Sequence, residues 1–104
     1  MIVIQDANDT IVEDIEKAEK NIRKAFTHKI KHPDLAKAFY NHSIYDLEKI
    51  KPIHDSIVAF IKEYREENGE PPAPMIAIYD YEHRKQIERI NEIKRLQEMY
   101  NNGL

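Results

Sequence analysis

Asp80-Tyr81-Glu82-His83 sets a carboxylate and an imidazole three residues apart. On a helix that spacing turns both groups to one face, as in the Glu-x-x-His pairs of di-metal carboxylate bundles. Other ionisable groups also fall where apolar residues are expected. Glu19 lies four residues after Ile15 and three before Ile22, with Glu16 at the edge of the same stripe. His42, Asp46 and Lys49 interrupt the next stripe and His54 flanks it, while Asp80, Glu82, His83 and Gln86 fill the stretch between Tyr79 and Ile87. A charge on a buried face costs several kcal/mol unless it is paired or bound to a metal. Two chemistries answer that cost. One is a carboxylate–imidazole centre for iron, manganese or zinc, with Glu19, Asp46, His54, Asp80 and His83 as its metal ligands. The other is a set of structural ion pairs: Asp46 and Lys49, at i and i+3, can pair with each other or with Glu19. His54 and His83 are then core-edge imidazoles hydrogen-bonded to their neighbours. No Ser/His/Asp nucleophile motif is present, and the absence of Cys removes thiolate zinc sites, disulfides and cysteine nucleophiles.

The elements that must carry these groups are helical. Gly occurs only twice in 104 residues, too rarely for an all-β fold or for a Gly-rich phosphate loop. Thr10-Ile11-Val12-Glu13 reads as a capping box and predicts helix 1 over about 10–31, with a stripe of Val12, Ile15, Ile22, Phe26 and Ile30. Pro33 suits a first helical position, so helix 2 is predicted over about 33–67, with a stripe from Leu35 and Phe39 to Ile61 and Tyr64. Pro52 lies inside it and predicts a kink or a break near residues 48–52. Asn68-Gly69-Glu70-Pro71-Pro72 is the one clear interruption, and helix 3 follows over about 74–100, with Met75, Ile78, Tyr79, Ile87, Ile90, Ile93, Leu96 and Tyr100 on its apolar side. The expectation is a single all-α domain over 1–104: an antiparallel bundle of three long helices, completed by pairing two chains into a homodimer.

Height along such a bundle limits the metal reading. With a turn near residue 32, Glu19 is level with Asp46; with a turn near residue 70, His83 is level with about residue 57 and so lies near His54. The two groups are offset by about 10 residues, or about 15 Å. One chain therefore gives two polar layers, which only a kink, a shifted linker or a second chain could merge.

Charge narrows the partners. The net charge is −3 with acids and bases interleaved, so no nucleic-acid binding is expected, although Arg23, Lys24, Lys29 and Lys31 form a basic patch. No apolar run approaches 18 residues and the first residues have no basic segment, so neither a membrane span nor a secretory signal is expected and a cytoplasmic location is compatible.

Several segments carry a resemblance: 43–54 (SIYDLEKIKPIH), 61–72 (IKEYREENGEPP), 78–83 (IYDYEH) and 92–100 (EIKRLQEMY). Over about residues 12–100 the chain resembles small ferritin-like helical proteins of unassigned function, encoded in prophages and genomes of Gram-positive bacteria. Their second helix has Glu-x-x-His and a further His five residues on; the matching positions here are Asp46, Lys49 and His54. The acid/His pair of the last helix matches Asp80 and His83, and the acid of helix 1 matches Glu16 or Glu19. Lys49 departs from that pattern. An ammonium cannot ligate until it loses its proton, and its charge repels a cation. The resemblance thus implies a ferritin-like scaffold whose metal site has given way to a salt bridge. The resulting expectation is a non-catalytic structural or interaction module, with no catalytic residue and no cofactor, and with a di-metal carboxylate protein as the rival.

Overall fold

Proline decides where the rods end. A computed structural model describes residues 2–103, and the side chains of all of these except 2, 3 and 75. Helix α1 spans Ile2–His28, α2 Pro33–Glu48, α3 Ile50–Asn68 and α4 Ala73–Asn101. No strand occurs among the described residues. Pro33 biases the residue before it away from helical geometry, and His32 has φ −137° and ψ 69°. The turn that results leaves Ile30 93% exposed, so the stripe predicted for helix 1 stops at Phe26.

The start of α1 also differs from the expectation. Thr10 is not a cap: its hydroxyl donates to the Asp6 carbonyl at 3.0 Å, the i−4 bond a threonine makes inside a helix. The helix reaches back to Ile2 because the apolar spacing does. Ile4, Ala7 and Ile11 continue the seam one turn at a time, and Ile4 and Ile11 are buried.

Between α2 and α3 the chain stays helical in its dihedrals, with Lys49 at φ −65° and ψ −22°, but the ladder is interrupted there. Pro52 has no N–H for the Glu48 carbonyl, and its ring crowds that carbonyl. The break falls so that Pro52 is the third residue of α3, where a missing donor leaves no bond unmade. Gly69, at φ 80°, closes α3 by donating its N–H to the Arg65 carbonyl at 3.0 Å.

The result is a rod of 57 × 18 × 17 Å with α1 at its centre. Helix α1 packs on α2, α3 and α4, whereas no described Cα of α3 comes within 8 Å of one in α4. The α3–α4 hairpin is therefore splayed, and side chains rather than backbones bridge it. The sealed core is mostly isoleucine, with Ile11, Ile15, Ile22, Ile50 and Ile93 fully buried.

The register of α4 corrects the predicted stripe. Ile78 is 65% exposed and Ile87 is also on the surface, while Gln86 is only 3% exposed and Gln97 is buried. Ile76, Tyr79, His83, Gln86, Ile90, Ile93, Gln97 and Tyr100 follow a three–four alternation, with Glu82, Arg89, Leu96 and Met99 also half-buried beside it. Helix α4 lies against α1 and, at its carboxyl-terminal part, α2, and these neighbours select its buried face whichever residue type occupies it. Leu35 is likewise exposed while Ala36, next to it, is fully buried. The predicted contribution of Met75 lies outside the described side chains.

Candidate functional site

Three polar layers cross the bundle. The first is built on Asp46, which is fully buried. Asn21 Nδ2 donates to its Oδ2 at 2.8 Å, and His42 Nδ1 lies 3.2 Å from the same oxygen. Its other oxygen, Oδ1, has no well-aligned hydrogen bond and faces the Lys49 ammonium at 3.4 Å. The same ammonium lies 3.5 Å from Oδ1 of Asp14, which is also buried. Desolvation pulls the Lys49 pKa down, but the neighbouring Asp14 and Asp46 outweigh it, and the net shift is upward from 10.5. Lys49 is thus a fixed cation between two carboxylates.

Asp14, not Glu19, is the α1 acid of this layer. Glu19 has the height predicted for it but the wrong azimuth. Asp14 and Asn21 are seven residues apart and share the seam with Ile4, Ile11, Ala18 and Ala25. Glu19 is five residues on from Asp14, turned by about 140° at about 100° per residue, and so faces α4. There it forms the second layer, a two-pronged ion pair with Arg89: Nε donates to Oε2 at 3.3 Å and Nη2 donates to Oε1. The Glu19 hydrogen bonds hold the Arg89 pKa above its ordinary range.

The third layer lies across the splayed hairpin. His54 Nε2 donates to Gln86 Oε1 at 3.1 Å, and Gln86 Nε2 donates to Asn8 Oδ1 at 3.2 Å. The His54 and His83 rings meet edge to face, 4.9 Å between centroids, and Tyr79 stacks on His83 at 5.7 Å. His83 Nδ1 is buried without a hydrogen-bond partner. Burial lowers the His83 pKa from 6.5, the charge of His54 adds to that, and Asp80 opposes both. Burial likewise raises the Tyr79 pKa, with Asp80 adding to the effect.

Of the five ligand candidates, then, the structure brings His54 and His83 together and separates the rest. Asp46 is with Lys49, Glu19 is with Arg89, and Asp80 is exposed on the surface. Eight residues of helix, about 12 Å, separate Asp46 from His54. Among the described residues no three His, Asp or Glu side chains form a group that could hold a metal ion. Charges are paired within the first two layers, Lys49 with Asp14 and Asp46 and Arg89 with Glu19, and the third is held by amide–imidazole hydrogen bonds and ring contacts. Asp14, Asn21, Asn8 and Arg89 are the participants that the sequence reading missed. For Asp14 and Asn21 the signal was present, since both fall on the three–four spacing of the small and apolar residues of α1.

Two apolar grooves flank the amino-terminal half of α4. One, of about 370 Å³, lies between α3 and α4 and is lined by Val58, Ile61, Ile76 and Tyr79 among others. The other, of about 700 Å³, lies between α1 and α4 and is lined by Ile4, Val12, Ile78 and Tyr79 among others. Among the described residues no helix is long and apolar enough to cross a membrane. No protein-family model, curated protein sequence or solved structure matches the chain.

Proposed function

We propose that this chain is a non-catalytic helical interaction module, a ferritin-like scaffold of phage type that works in the cytoplasm as a homodimer. The observation that carries the reading is the Lys49 ammonium between Asp14 and Asp46. A metal–carboxylate centre would need a neutral ligand at that place, and the lysine supplies the positive charge instead. What supports the dimer is the gap between α3 and α4, an apolar floor with Val58 exposed at its edge. A second copy laid along it would turn a three-rod bundle into a larger one. Protein purified without chelator and analysed for transition metals tests the first part, and absence of stoichiometric iron, manganese or zinc is expected. Light scattering tests the second, and a single-chain mass at every concentration removes the dimer.

The rival reading, a metal–carboxylate protein, draws on one observation: His54 and His83 in contact, with the His83 Nδ1 unpartnered. A stoichiometric metal lost on His83→Ala would favour it over the scaffold.

A further inference from the structure

The two ends of the rod carry unlike groups. At one end, the turn between α1 and α2 holds out Ile30, 93% exposed, with Lys29 on one side and Lys31 on the other. Of the surrounding cations, Lys29 donates to the Tyr100 carbonyl at 3.2 Å. Among the described residues, Lys24, Lys29, Lys31 and Lys37 take part in no ion pair. Three of them lie over ring faces instead: Lys24 over Phe39, Lys29 over Tyr100 and Lys37 over Tyr40.

At the other end, the α1/α4 groove has an apolar floor, and its two charged lining residues, Asp9 and Glu82, are both acidic. Neither takes part in an ion pair among the described residues. Exposed Ile78 forms one wall. The groove's volume of about 700 Å³ exceeds that of one isoleucine side chain.

We propose that the occupant of this groove is the Lys29–His32 turn of a second copy, with Ile30 seated on Ile4, Val12 and Ile78 while Lys29 and Lys31 face Asp9 and Glu82. The contact joins unlike surfaces, so it does not close on itself as a twofold contact does, and it propagates head to tail into chains or rings. It is separate from the side-by-side dimer, which uses the α3/α4 gap. One turn in one groove buries less than the roughly 1,000 Å² of a stable interface, so the assembly is weak and concentration-dependent.

Sedimentation velocity from about 10 μM to about 1 mM tests it, a range in which even a millimolar contact becomes populated. The expected result is a mass that climbs past two chains of 12.4 kDa and falls back in 0.5 M salt, which screens the rim charges. Ile30→Asp and Ile78→Asp, both at exposed positions, should each abolish the growth with an unchanged helical circular dichroism spectrum. An equimolar mixture of the two should pair again through this contact, but only once per pair and without further head-to-tail growth, because one variant keeps the groove and the other keeps the turn. A wild-type mass held at one or two chains, growth that survives Ile30→Asp, or a mixture as inert as its components would overturn the proposal. A wild-type mass held at two chains would leave the side-by-side dimer standing, whereas one held at a single chain would remove that dimer as well.

Discussion

The ammonium of Lys49 stands 3.4 Å from Asp46, a carboxylate that water does not reach. Asn21 donates to one of its oxygens and Lys49 faces the other. Removing Lys49 therefore leaves a buried anion half-compensated. Lys49→Met should cost about 2–3 kcal/mol in urea unfolding, below the ~3–5 kcal/mol of fully buried pairs, because the Lys49 side chain is 34% exposed. Lys49→Met with Asp46→Leu should recover most of the loss. The sign with pH follows from the raised Lys49 pKa: its contribution is complete below 10.5 and fades as pH rises through the folded value.

The Glu19–Arg89 pair is bidentate but wetter, with side chains 24% and 38% exposed. A double-mutant cycle of Glu19→Gln and Arg89→Met should give a coupling of about 0.5–1 kcal/mol. A coupling near zero would show that the pair does not hold α4 to α1.

Acid should weaken the third layer. The folded pKa of His83 is lowered, so between that value and 6.5 the unfolded chain binds more protons than the folded one. Stability present above pH 6.5 is lost as pH falls, with a slope from this group of at most about 1.4 kcal/mol per pH unit. Urea midpoints from pH 7.5 to pH 5 for wild type and His83→Phe check it, and the variant should show the shallower decline.

The register of α4 can be tested with two isoleucines three residues apart. Ile90 is buried and Ile87 lies outside the seam. Ile90→Ala should cost about 2–4 kcal/mol and Ile87→Ala less than about 0.5 kcal/mol. Equal losses would mean that α4 is rotated from the arrangement described.

The helical character of the rods and the joint at Pro52 were legible along the chain because each depends on residues close in sequence. Pro33, Gly69 and the proline at 52 act on their own backbones, and the break at Lys49 falls within the segment that Pro52 marks. The start of α1 was misread because Thr10-Ile11-Val12-Glu13 satisfies a local rule equally well as a cap or as helix interior. Heights were legible too: an antiparallel turn places Glu19 level with Asp46 and His83 near His54 by counting alone.

Azimuth was not legible. Whether Glu19 meets Lys49 or Arg89 depends on which neighbour occupies each side of α1, and that depends on all three rods packing at once. The same cause put Gln86 and Gln97 in the seam and Ile78 and Ile87 outside it. A helix offers its faces by spacing, but the neighbour it lies against selects the face that is buried. Local composition carried the choice of rods, whereas the identity of each ion pair arose from long-range packing, which rotates a side chain towards or away from its counter-charge without changing its place along the axis.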